Sequence, residues 1–163
     1  MRSAAPLALA LVFAVSACAS PEPGSGLRLV ETKAQAQLLR NAAAARVPEA
    51  AIASVANAGD ASSECGDGDP YRRWDSTIEL ALTAESAPGI RDIYLELISS
   101  YVTDGWVSGR PQDDSTRLVN TGSYSEVLVA IVSDDLLRVT VSGPCVLTDG
   151  AGSDEVKLLE SER

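Results

Sequence analysis

The sequence predicts an α+β domain, a two-layer sandwich in which a mainly antiparallel sheet carries two helices packed on one face. Three observations carry that expectation. Two segments alternate apolar and polar residues at period 2, as half-buried strands do: Trp74, Ser76, Ile78, Leu80 and Leu82 against Asp75, Thr77, Glu79 and Ala81, and Leu137, Val139 and Val141 against Arg138, Thr140 and Ser142. Between them the period changes, and Ile90, Ile93, Tyr94, Leu97, Ile98 and Tyr101 fall on one stripe of an amphipathic helix. Late in the chain, short turns separate the apolar runs, which implies hairpins and antiparallel pairing.

The elements follow in order. A first helix is expected from Thr32, whose T-x-x-Q spacing to Gln35 suits a capping box, through Leu38, Leu39, Ala42 and Ala45 to a stop at Pro48. Ala50 to Ala56 reads as a weak strand, with helix continuation as the alternative. Asn57 to Pro70, rich in Gly, Ser and Asp, reads as loop and carries Cys65. The second helix has Ser86 and Pro88 at its start and Gly105 at its stop. Strands are expected in GWVSGR, RLVN, SEVLVAIVS and LLRVTVS, parted by turns at PQDDST, TGSY and Asp134-Asp135. The predicted order is α-β-β-α-β-β-β-β.

The apolar fraction of 45% is that of a globular chain. With one Phe, its core must be built from Val, Leu, Ile and Ala. Lysine is confined to Lys33 and Lys157, and the net charge is −10. A chain so acidic is repelled by nucleic acid, and its one basic cluster, Arg72-Arg73, is flanked by Asp67, Asp69 and Asp75, so no nucleic-acid partner is expected.

The N-terminus carries an address. Arg2 precedes a short apolar run, Leu7 to Val15, too short to span a bilayer, which takes about 20 apolar residues. Val15-Ser16-Ala17-Cys18 follows. An aliphatic residue, two small residues and Cys resemble the lipobox of bacterial lipoprotein signals. That resemblance implies a diacylglyceryl thioether on Cys18, with acyl chains of the palmitate class, and cleavage before it; the alternative is an ordinary secretory signal cut near Ala17 or Ala19. Two acyl chains anchor stably where one is marginal. The expected organisation is therefore a signal peptide over 1–17, a flexible tether over 18–29, a single domain over 30–149 and a loose polar tail over 150–163.

Export sets the redox compartment. With Cys18 taken by lipid, Cys65 and Cys145 remain as a pair in an oxidising setting and are expected to form one disulfide. With no histidine and two cysteines left, no zinc or iron–sulfur site and no cofactor is expected. His-based catalysis is excluded. Asp67 and Asp69 are spaced like the start of a calcium loop but lack its remaining ligands, so a turn is favoured. Asp113-Asp114 and Asp134-Asp135 could pair for glycoside chemistry, yet both lie in turn sequence where Asp is ordinary.

One strand resists a bland account. In EVLVAIVS both faces are apolar: Val127, Val129 and Ile131 on one, Leu128, Ala130 and Val132 on the other. The first can pack on the 90–101 helix. The second is covered by helix one or by loops, or stays open as a surface for a ligand or partner, with Trp106 at its margin, although packing against the edge of the core is favoured for Trp106 itself. An Asp at either Val129 or Leu128 is expected to bury an unpaired charge. Trp74, in register with Ile78 and Leu80, is expected in the core.

The layout resembles the small uncharacterised lipoproteins of actinobacteria over most of the mature chain. The residues that carry the likeness are the lipobox at Cys18, the Ala/Gln-rich first helix, Cys65 and Trp74 with eight residues between them, Asp104-Gly105-Trp106, and VTVSGPC ending at Cys145. The expectation that follows is a membrane-anchored lipoprotein on the extracytoplasmic face of the cell membrane. Its domain would be a non-enzymatic binding or interaction module engaging an envelope protein. The alternative is a carrier of a lipid or other apolar ligand in a groove beside the 126–133 strand. A third reading, an enzyme acting on cell-wall material through carboxylates, has no constellation behind it.

Overall fold

The computed structural model describes residues 26–66, 70–83 and 89–162. The expected signal peptide, the lipobox with Cys18, the tether up to residue 25, the Asp67–Asp69 pair and the Ser86–Pro88 helix start lie outside the described residues. The fold class is the expected one. Helix α1 (Leu29–Ala44) is followed by a 3-10 turn (Glu49–Ala51), strands β1 (Ile52–Glu64) and β2 (Tyr71–Leu82), and helix α2 (Ile90–Thr103). Strands β3 (Val107–Ser108), β4 (Ser115–Asn120), β5 (Ser125–Ser133), β6 (Leu136–Ser142) and β7 (Val146–Leu147) and helix α3 (Asp154–Ser161) complete the chain.

One antiparallel sheet runs in the order β1-β2-β6-β5-β4-β3, and β7 pairs with β2 beyond the end of β6. The registers put like against like. Ile78 faces Val139, which faces Val129, on one side of the sheet; Thr77 faces Thr140, which faces Leu128, on the other. Both α1 and α2 pack on the Ile78–Val139–Val129 side, α1 over β2 and β6 and α2 over β4, β5 and β6. The core between the layers is aliphatic apart from Trp74, Tyr94, Tyr101 and Trp106, as a chain poor in Phe requires.

Helix α1 starts one turn earlier than its sequence signal suggests. Leu29 is fully buried, so the helix begins there, and the cap is made by Glu31, whose carboxylate accepts the Arg28 amide at 2.7 Å. Thr32 lies inside the first turn with its hydroxyl donating to the Leu29 carbonyl at 2.9 Å, and Gln35 reaches the Ser125 hydroxyl at 2.9 Å. The inner stripe is Leu29, Thr32, Lys33, Ala36 and Ala43; Leu38, Ala42 and Ala45, expected on the apolar stripe, are exposed. The small inner residues let the helix approach closely. A Cβ added at Gly143, after β6, would meet the Thr32 carbonyl oxygen at 3.0 Å.

Two expectations change. Residues 57–64, expected as loop, are the second half of β1, which pairs with β2 from Ile52↔Leu82 to Glu64↔Arg72. The segment reads as loop because an edge strand exposed along most of its length has no apolar rhythm to show. The residues from 150 on, expected as a loose polar tail, form α3 over Asp154–Ser161. The Ser153 hydroxyl caps it by accepting the Val156 amide at 3.3 Å, and acids in its first turn suit the helix dipole. Val156 and Leu159 are buried, and Lys33 donates to the Leu159 carbonyl at 2.7 Å while its ammonium lies 4.9 Å from the centre of the Trp74 ring. Glu160 accepts the Ser62 hydroxyl at 2.8 Å, so α3 covers one end of the β1 edge.

The Cys65–Cys145 disulfide is present, with Cα atoms 6.0 Å apart. It joins the end of β1 to the segment between β6 and β7.

Candidate binding face

The sheet has a helix-covered face and an open one, and the open one collects the exposed alternate residues of β2, β4, β5 and β6. In β5, Val127 and Val129 are 0% exposed beneath α2, whereas Leu128 is 40% and Val132 43% exposed; Ala130 lies half-buried between them. Helix α1 does not cover this second face, because it packs on the same side as α2. An Asp at Leu128 would therefore not be buried, in contrast to one at Val129.

Trp106 does not join that surface. It is 7% exposed and sits in the core, its ring 5.1 Å from that of Tyr101 at 74°. The cause is local. Gly105 takes φ +87°, and the amides of Gly105 and Trp106 return to the carbonyls of Val102 and Tyr101. This is a Schellman ending, in which the residue after the glycine packs back on the last turn of the helix.

Across the open face the polar groups form a connected set. Arg117 on β4 lies 3.8 Å from the Glu126 carboxylate on β5, and Arg73 on β2 lies 3.6 Å from the same oxygen. Arg73 also meets Asp75 at 3.3 Å, and Asp75 accepts hydroxyl donors from Ser142 and Ser63, each at 2.5 Å. Further along, the Thr77 and Thr140 hydroxyls lie 3.0 Å apart, and Arg138 donates to Glu79 at 2.7 Å. The face is thus charge-balanced over most of its width.

Hollows follow this ladder and share their walls. One of about 460 Å³ lies among Gly109, Arg110, Gln112, Ser115, Arg117 and Leu128. A smaller one of about 120 Å³ adjoins it through Arg117 and Leu128, and continues through Asp75 and Thr140 into one of about 440 Å³ bordered by Asn57, Thr77, Glu79 and Arg138. A side branch of about 240 Å³ reaches the disulfide by way of Arg73, Glu126 and Tyr124. Together they make a shallow groove running across the strands.

On the helix side, Asp60 forms a separate network. It accepts the Ser76 hydroxyl, Gln37 at 3.0 Å and Arg40 at 3.5 Å, and so ties α1 to β1 and β2. Burial alone would push its carboxyl up, but the hydrogen bonds from Ser76 and Gln37 and the charge of Arg40 outweigh it and hold Asp60 below the ordinary aspartate range. At Tyr101 burial prevails: it pushes the phenol up, with the charge of Asp104 adding to it, against the opposing charge of the Arg46 guanidinium, 4.4 Å from the ring centre.

The carboxylate pairs considered for glycoside chemistry are engaged separately: Asp114 with Arg91 at 2.6 Å, and Asp135 with the Ser133 hydroxyl at 2.8 Å. Among the described residues no group of acidic or cysteine side chains is arranged to hold a metal ion, and no helix is long and apolar enough to cross a membrane. Sequence reasoning did not find the Asp60 network or the Arg110–Arg117 hollow. Their residues come from segments far apart in the chain, and only the registers bring them together. No family model, no curated protein and no solved structure matches this chain.

Proposed function

We propose that the chain is a lipid-anchored lipoprotein of the extracytoplasmic face of the cell membrane, whose domain binds an envelope partner, without catalysis, on the open face of its sheet. The observation that carries this reading is the uncovered face itself. An isolated antiparallel sheet with one wet face needs no more than scattered polar residues there; this one has an ordered ladder from Arg117 to Glu79 and a groove along it. The Val15-Ser16-Ala17-Cys18 sequence supports the anchor, and the Cys65–Cys145 bond suits an oxidising compartment. The carrier reading has less support, because the hollow beside Leu128 shares its lining with Arg110 and Arg117, which do not suit an apolar ligand.

Two measurements test the proposal. Metabolic labelling with a radioactive fatty acid should mark the wild type and not Cys18→Ala, and the variant should leave the membrane fraction or accumulate as precursor. A photo-crosslinking side chain placed in living cells at Thr77 or Leu128 should trap a discrete partner, while one at Leu38, 70% exposed on the outer side of α1, should not. Equal trapping at Leu38, or none at Thr77 and Leu128, refutes the open face as the binding surface.

A further inference from the structure

Resting on the open face as the binding surface, we infer that the hollow at its β3–β4 end is an oxyanion site, which receives a carboxylate or phosphate group of the ligand. The chain as a whole has net charge −10, yet among the described residues the only charged ones lining this hollow are Arg110 and Arg117. Elsewhere on the same face the cations are neutralised. Arg138 is held by Glu79 and Arg73 by Asp75. Arg117 has only a long contact with Glu126, which Arg73 shares, and Arg110 has no carboxylate partner among the described residues. Two arginines lining one concave site, with no acid among its described lining residues, favour anions there and carry forked donors that suit a carboxylate or phosphate.

The backbone holds this site open. Gly109 donates to the Arg117 carbonyl at 2.8 Å, and a Cβ there would come within 3.3 Å of that oxygen, so glycine lets β3 lie close to β4. Gln112 and Ser115 exchange both backbone hydrogen bonds, at 2.9 and 2.8 Å, closing a tight turn in which Asp113 takes φ +47°. That turn removes its own acids from the hollow: Asp114 is taken by Arg91, and Asp113 is not part of the lining. Gln112 adds an amide donor, and Leu128 gives the hollow an apolar wall against the carbon skeleton that bears the anion.

The test uses the acylated full chain in neutral detergent micelles, observed by NMR at the arginine Nε–Hε and glutamine side-chain amide groups. Inorganic phosphate and acetate are titrated separately at constant ionic strength, with chloride as the reference. The expected result is a saturable shift at Arg110, Arg117 and Gln112, with Arg138 and the exposed Arg28 unmoved beyond the chloride reference. The Arg110→Ala/Arg117→Ala double variant should weaken the Gln112 response at least tenfold, and Arg28→Ala should leave it intact. Saturation by phosphate at lower concentration than acetate points to a phosphate-bearing ligand, and the reverse to a carboxylate. Non-saturating shifts equal at Arg28 and Arg117, or a response that survives in the double variant, overturn the inference. Failure here with successful crosslinking at Thr77 removes the oxyanion site and leaves the binding face standing.

Discussion

The two faces of strand β5 are nearly equal in composition and opposite in fate. Val127 and Val129 pack under α2, and their neighbours Leu128 and Val132 stand partly in water. A strand apolar on both sides is usually covered on both. Here the two helices share one side of the sheet, and the other is left to a ladder of arginines, acids and threonines. The comparison teaches that apolar character sets the strand but not its cover: which face is buried depends on where the helices can dock.

The largest expected effect separates the two faces directly. Val129→Asp buries an uncompensated charge in the aliphatic layer and should cost about 4 kcal/mol or more, a large share of a typical 5–15 kcal/mol stability. Urea unfolding should show the variant's midpoint strongly lowered. A midpoint close to that of the wild type would mean that the face beneath α2 is not the core.

Next comes the bond that ties the end of β1 to the segment after β6. Cys65 and Cys145 lie 80 positions apart, and the entropy of so long a loop corresponds to roughly 4 kcal/mol, less where the reduced chain keeps structure. Thiol labelling of the denatured, unreduced chain should find neither cysteine free, and reduction should lower the melting temperature. Two reactive thiols at these positions before reduction would contradict the bridge.

The Asp60 network sharpens the helix-covered side. Asp60→Asn should cost about 1–2 kcal/mol at neutral pH, the scale of lost charge-assisted hydrogen bonds. Because the folded carboxyl titrates below its unfolded value near 3.9, this contribution is present above about pH 4 and lost as pH falls through the lower, folded value. The difference in unfolding free energy between wild type and variant should shrink on acidification below about pH 4. A constant difference across that range would show that ionisation of Asp60 is not what ties α1 to the sheet.

The smallest effects belong to the open face. Leu128→Asp and Thr140→Asp should each change stability by about 0.5 kcal/mol or less, the range of surface substitutions. Melting curves of these variants beside Val129→Asp give the comparison its clearest form. A loss at Leu128 as large as that at Val129 would show that something covers the second face.

Much of the fold was legible because buried faces leave rhythms. Trp74 to Leu82 and Leu137 to Val141 alternate since each strand has one dry side, and Ile90 to Tyr101 repeat at helical spacing for the same reason. Where burial leaves no rhythm the reading failed. β1 lies at an edge and shows small polar residues that suit a loop as well as a strand. Helix α3 is short, and its signal, Ser153 followed by Asp154 and Glu155, was hidden in a polar stretch. On α1 the exposed Leu38 misled, because the inner stripe uses Thr32 and Lys33, whose polar atoms find partners on Leu29 and Leu159. The candidate site was legible only at Leu128, Ala130 and Val132.

What the sequence by itself determined was the α+β class, the alternation of the strands and the pairing of Cys65 with Cys145, all consequences of local periodicity or of simple elimination. The tertiary structure alone decided that the second apolar face of β5 stays uncovered, that residues 57–64 extend β1 as an edge strand, and that Arg117, Glu126, Arg73 and Asp75 meet in one ladder. The physical reason is that periodicity records only whether a residue faces the dry or the wet side. Strand order and register decide which distant residues share that side, and they are set by how the whole apolar layer closes against the helices.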